Sequence, residues 1–177
     1  IRLSLVGSEM CIRDSLTGVL ARRALLQQGD RLLERYQRES TGLAVMMVDV
    51  DHFKQVNDQH GHGAGDRLLV SIAQTMARAL RPDDVLGRMG GEEFAAVLPG
   101  VSPTEAQAIA ERVRSAVERQ ALDATQGGPQ RATVSIGLVH SATLGAEADM
   151  DTLLLAADTA LYLSLIHISE PTRLRRI

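Results

Sequence analysis

Two apolar runs joined by a pair of glycines constrain this chain more than any other stretch. "DVLGRM" (Asp84–Met89) precedes Gly90-Gly91, and "EFAAVLP" (Glu93–Pro99) follows Glu92. Glycine takes positive φ at little cost, so the pattern predicts two strands in a tight hairpin, with Gly90 and Gly91 as its turn. A hairpin forces its strands to be antiparallel neighbours. Two carboxylates, Glu92 and Glu93, stand at the mouth of the returning strand.

The flanking segments extend this hairpin into a fold. Leu20 to about Glu39 carries apolar residues at helical spacing. "LAVMMVDVD" (Leu43–Asp51) is short, apolar and valine-rich, and reads as a buried strand. "HGHGAGD" reads as a glycine-rich turn, with Asp66 as N-cap of the helix "RLLVSIAQTMARAL", which Pro82 stops. Pro103-Thr104 opens a helix through about Leu122, with Ala106, Ile109, Ala110, Val113 and Val117 on one face. "QGGPQ" is a loop, "ATVSIGLV" a strand and "MDTLLLAADTALY" a final amphipathic helix. The order β-α-β-β-α-β-α predicts an α+β fold with a ferredoxin-like βαββαβ core, its mostly antiparallel sheet packed by helices. The 177 residues suit one domain, and with 2% aromatics the core must be built from Ala, Leu, Val and Met.

The two ends read differently. One codon choice for residues 163–177, "LSLIHISEPTRLRRI", gives DNA whose reverse complement encodes "IRLSLVGSEMCIRD", residues 1–14, and begins a serine codon. An inverted repeat flanking an insert explains both ends at once, and it resembles the adapter and index sequence of transposon-based sequencing libraries. Residues 1–15 and 163–177 are therefore expected to be non-native and are set aside for fold reasoning, leaving a C-terminally truncated domain over 16–162. Cys11, the only cysteine, leaves with them, so no internal disulfide is expected. The net charge of −3 argues against a nucleic-acid partner, and no apolar run approaches a membrane span.

Alternation along "VMMVDVD" puts Val45, Met47, Asp49 and Asp51 on one face. In the expected topology the hairpin turn lies at the sheet edge where this strand ends, which brings Glu92 and Glu93 close to Asp49 and Asp51. Acids gathered at the end of an apolar strand are costly if buried unpaired. Spacing leaves two readings open: a hard divalent cation held by the acids, or acids that face water beyond the sheet.

"RMGGEEF" (Arg88–Phe94), "DVDHFKQVNDQHGHGAGD" (Asp49–Asp66), "LTGVLARR" (Leu16–Arg23), "TVSIGLV" and "AADTALY" together resemble the GGDEF domain of diguanylate cyclases. The resemblance covers nearly all of 16–162. It implies a palm-like fold shared with nucleotidyl cyclases, and condensation of two GTP into cyclic di-GMP, a bacterial second messenger, with release of pyrophosphate. It further implies Mg²⁺ (or Mn²⁺) as cofactor, a homodimer for catalysis, an upstream sensory domain and a cytoplasmic location, with membrane anchoring through a missing N-terminal part left open. Carried over by position, Asp49, the Val50 carbonyl and Glu92 are the implied metal ligands. Glu92 is also the implied proton acceptor, with Glu93 either supporting the site electrostatically or touching the metal. Lys54, the only lysine among 19 basic residues, is implied to stabilise phosphate charge. Asn57, His62 and Asp66 are implied nucleotide contacts, with Gly90 and Gly91 letting the ligand approach the backbone. An Asn amide and an Asp carboxylate together match the acceptor and donor edge of guanine. Arg81 and Asp84, in "RPDD", match the family's Arg-x-x-Asp product-inhibition motif, with Arg112 as a supporting arginine; by itself such a pair is an ordinary surface ion pair.

Departures from the family pattern also matter. Met89 replaces the usual aromatic before Gly-Gly, and Ala21 stands where asparagine is common. Asp14 completes the family's Asp-x-Leu-Thr pattern, but adapter-like DNA encodes it, so its match is read as accidental. After "ALY" the family's basic residues give way to "LSLIHIS", which implies weak activity for this form. The alternative to a cyclase is a non-catalytic module that binds GTP or cyclic di-GMP for signalling.

Overall fold

Leu43–Val50 forms strand β2, buried along almost its whole length, as a continuous apolar run requires when both faces of a sheet are covered. In the computed structural model, residues 12–39, 41–120, 131–144, 148–166 and 174–176 are described. The loop expected at "QGGPQ", Cys11 and most of both end segments lie outside them. In chain order the elements are β1 (Leu20–Ala21), α1 (Arg22–Arg38), β2, α2 (Phe53–His60), α3 (His62–Ala79), β3 (Val85–Gly90), β4 (Glu93–Pro99), α4 (Pro103–Arg119), β5 (Val134–His140), α5 (Ser141–Leu144), α6 (Met150–Ile166) and β6 (Leu174–Arg176).

The described strands form one sheet in the order β1-β3-β4-β2-β5-β6. β4 runs antiparallel to β3 and to β2, and β2 antiparallel to β5. This is the expected βαββαβ arrangement, with β4 between the parallel pair β2 and β3. Each face of β2 feeds its own core. Met46, Val48, Phe94 and Ile136 pack with Leu69 and Ile72 of α3 and Val113 of α4. Val45, Met47 and Val97 pack with Leu25 of α1 and Leu153 and Ala157 of α6. Burying one such side chain contributes about 1.5–3 kcal/mol. On the second face, Gly137 of β5 lets α6 lie directly on the sheet. A Cβ there would overlap the Ala157 carbonyl oxygen and the Leu161 amide nitrogen.

Several local expectations are corrected. "HGHGAGD" is not a turn, and Asp66 is not a cap: α3 already begins at His62 after Gly61, and Asp66 is exposed within it. Gly61, at φ 80, makes the break between α2 and α3 that the glycine-rich stretch had suggested. α2 was not expected, because "FKQVNDQH" buries only Phe53 and so shows no apolar stripe. The hairpin turn is Gly91-Glu92, not Gly90-Gly91, because Gly90 pairs with Glu93 across a bulge after Arg88. α4 ends at Arg119, and its expected apolar face is buried. A reciprocal Ser102–Glu105 capping box and Pro103 in the first turn start it. α6 runs on past Tyr162 to Ile166.

Candidate active site

The acids meet because of register. Asp49 lies on β2 directly opposite Glu93 of β4 and Ser135 of β5. Glu92 sits in the turn one residue before Glu93, and its carbonyl accepts from the Val50 amide at 3.3 Å. Gly91 at φ 50 supplies the positive φ that a two-residue hairpin needs at its first position. Arg88 fixes this turn: Nε and Nη2 donate to the Gly91 carbonyl at 3.1 and 2.7 Å, and Nη1 donates to Asp14 at 3.1 Å. Asp14 also accepts from the Thr17 amide and hydroxyl. Burial pushes the Asp14 carboxyl up, but the bonds from Thr17 and Arg88 outweigh it and hold the group below its ordinary value.

Electrostatics single out Asp49. Burial, then the charges of Glu92, Glu93 and Asp51, push its carboxyl from 3.8 up to about 7. Glu93 is also pushed up, first by burial, then by Asp158 and Glu92, with Arg22 opposing. Asp51 accepts from the Ser135 hydroxyl at 2.7 Å through Oδ1, while its Oδ2 is buried without a partner. These acids line up with too little positive charge beside them, which is the condition a cation relieves. The donor set is all oxygen, the preference of Mg²⁺. Among the described residues no three His, Cys, Asp or Glu side chains converge as a closed cation site. One or two of these carboxylates would suit the oxygen preference of such an ion.

α2 and α3 carry the other implied contacts. Lys54 is exposed in the first turn of α2, and His62 and Asp66 are exposed on α3, one turn apart. Asn57 is half-buried, and its Oδ1 lies against Gly65, the neighbour of Asp66, with no donor. A cavity of about 300 Å³ opens under the hairpin between Met47, Met89, Glu93, Arg22, Leu154 and Asp158. A larger one, about 800 Å³, lies away from the acids, between Tyr36, Ala77 and Asp84. Of the two, the smaller touches the acidic cluster, through Glu93.

Arg81 and Asp84 form a bidentate pair: Nη2 donates to Oδ1 at 2.6 Å, Nε to Oδ1 at 3.0 Å and Oδ2 at 3.3 Å, and Nη2 also donates to the Pro99 carbonyl at 3.0 Å. The Asp84 side chain is fully buried, and that of Arg81 is 36% exposed. Arg112 donates through Nε to the Ala79 carbonyl at 2.7 Å, which brings it to the end of α3 just before Arg81. These three residues are thus on one side of the fold, apart from the acidic cluster at the hairpin turn.

Three contributors were missed from sequence: Arg88, Ser135 and Gly65. Arg88 could have been suspected from its place before the hairpin turn. Ser135 gave a weak signal, a hydroxyl amid a strand of valine and isoleucine. Nothing in the sequence pairs Gly65 with Asn57.

The sequence profile described as "Diguanylate cyclase, GGDEF domain" matches residues 11–165. The chain is 36% identical over 158 residues to the probable diguanylate cyclase DgcT of Escherichia coli K12, covering 89% of this chain and 34% of that protein. It is 38% identical over 151 residues to the diguanylate cyclase DosC of the same strain, covering 85% and 32%. The chain thus spans about a third of the length of these curated relatives. Among solved structures, diguanylate cyclase SiaD of Pseudomonas aeruginosa, in complex with its activator SiaC, superposes with a TM-score of 0.86 at 37% identity, covering 94% of this chain and 62% of that one. The GGDEF domain of DgcB from Caulobacter crescentus, in complex with c-di-GMP, gives 0.84 at 28% identity, covering 93% and 92%.

Proposed function

We infer function from one premise: the chain belongs to the GGDEF domain family of diguanylate cyclases. We propose that it joins two GTP molecules into cyclic di-GMP. In each of two steps a 3′-oxygen bonds the α-phosphorus of the other GTP, and the bond from that phosphorus to pyrophosphate breaks. One domain binds one GTP, so two domains must face each other.

The observation that carries this reading is Asp49 held opposite Glu93 and beside Glu92, its carboxyl pushed up to about 7. Asp49, Glu92 and the Val50 carbonyl would hold Mg²⁺ or Mn²⁺. When bound, such an ion supplies charge neutralisation to the phosphates and acidifies the attacking hydroxyl. Glu92, in a turn that Arg88 clamps through the Gly91 carbonyl, accepts the proton of that hydroxyl. Glu93 keeps the site negative. Lys54, exposed near the start of α2, offers its ammonium to the phosphates. Asn57 and Asp66 read guanine, His62 flanks the nucleotide, and exposed Gly90 and Gly91 leave the backbone open to it. Cyclic di-GMP at Arg81, Asp84 and Arg112 restrains the enzyme, with arginine forks suited to its phosphates.

The test is product formation from GTP and Mg²⁺ by this domain in its uninterrupted gene context. Glu92→Ala is expected to abolish cyclic di-GMP. Undiminished product from that variant overturns the mechanism. Tight GTP or cyclic di-GMP binding without turnover in the unaltered domain would instead establish the non-catalytic module. Product analysis with ATP in place of GTP checks the base specificity.

A further inference from the structure

Gly65 is buried at the end of the first turn of α3, and its backbone is ordinary helix. Glycine is a poor helix former, so neither conformation nor propensity explains it there. Gly63 is also in α3 but exposed; a Cβ on it would meet only the Arg67 Nη1, at 3.7 Å. At Gly65 a Cβ would overlap the Asn57 Oδ1 and come within 3.0 Å of both the Asn57 Cγ and the Phe53 Cζ. Phe53 is buried in the core and anchors α2. Relief of such a collision therefore falls on the Asn57 amide, which is tied down by no hydrogen bond at Oδ1.

We propose that Gly65 is a positioning residue for nucleotide recognition. The space left by its missing side chain is the niche in which the Asn57 amide lies beside Asp66. This rests on the reading of Asn57 and Asp66 as guanine contacts. The geometry gives the glycine a function distinct from its neighbour: Gly65 sets where Asn57 points, and Asp66, one residue on, supplies the second contact. A methyl group at position 65 turns the amide off α3 and separates the two contacts.

The probe is 3′-deoxy-GTP, which lacks the attacking hydroxyl and cannot condense. Its dissociation constant is measured by calorimetry on the full chain with Mg²⁺, for Gly63→Ala, Gly65→Ala, Asn57→Ala and the double variant Asn57→Ala/Gly65→Ala. Gly65→Ala is expected to weaken binding roughly tenfold, the size of one lost hydrogen bond. Gly63→Ala is expected to leave it unchanged. In the Asn57→Ala background, Gly65→Ala should add nothing, because the group it displaces is gone. Weakening by Asn57→Ala but not by Gly65→Ala overturns the role of Gly65 alone. No weakening by Asn57→Ala overturns the guanine reading, and this proposal with it. Additive effects overturn it as well. Should Gly65→Ala fail to fold, a folded double variant shows the collision to be with Asn57, and an unfolded one refutes it.

Discussion

Replacing Asp49 by asparagine should make the metal-free protein more stable at neutral pH, and the structure sets how much. The carboxyl moves from 3.8 to about 7 because burial and then Glu92, Glu93 and Asp51 disfavour its charge. Taken whole, that difference is about 4 kcal/mol. The group keeps contact with water, so screening reduces the figure to roughly 2 kcal/mol. The sign follows from linkage: the folded-state value is raised, so the unfolded chain ionises first as pH climbs. Stability is therefore lost between about pH 4 and pH 7, and the full deficit is present above. Asp49→Asn removes this slope. In chelator the variant should match the parent near pH 4 and exceed it near pH 8 by roughly 2 kcal/mol, or about 4–8 °C in Tm for a domain of this size. Addition of Mg²⁺ should raise the parent and not the variant, closing the gap. Urea melts across this pH range, with and without chelator, make the measurement. Parallel curves for the two proteins, or a variant less stable at pH 8, would refute the account of the acidic cluster.

Two further outcomes follow from packing and pairing. Gly137→Ala should destabilise by about 3 kcal/mol or prevent folding, because the added carbon meets the backbone of α6 at Ala157 and Leu161 and the helix must move off the sheet; a thermal melt within a degree of the parent would contradict that packing. Arg81→Ala should cost about 2 kcal/mol by leaving the buried Asp84 carboxylate without its main partner, and should relieve inhibition by added cyclic di-GMP; a folded variant still inhibited at the parent's concentration would remove Arg81 from that site.

What could be read beforehand was whatever local rules govern. The run from Leu43 to Val50 declares a strand by its length and branching, and the Gly-Gly pair declares a hairpin. With the helices between, the βαββαβ order by itself puts Glu92 and Glu93 by Asp49. Features that depend on contacts distant in sequence were not legible. α2 fully buries Phe53 alone, with Val56 only partly covered, so no periodicity marks it. Asp66 is a good cap residue by type, but Gly61 ends α2 and begins α3 by backbone geometry, leaving Asp66 nothing to cap. Ser135 reaches Asp51 from 84 positions away, and Arg88 reaches Asp14 from 74. Asp14 is instructive here. Its carboxylate closes the turn with Thr17 and grips Arg88 whatever DNA encoded it, since only an acceptor at that place is needed.

The seven consecutive pairs from Leu43↔Pro99 to Asp49↔Glu93 make distance along β2 a unit of function. A strand changes face at every residue. Substitutions between Leu43 and Val48 alter packing but leave the count intact. Deleting or inserting a single residue there would carry Asp49 to the opposite face, among Phe94 and Ile136, while Glu92 stayed in its turn. Length within this strand is thus held far more strictly than composition, and variants that change it should lose the site outright where those that change side chains lose only stability.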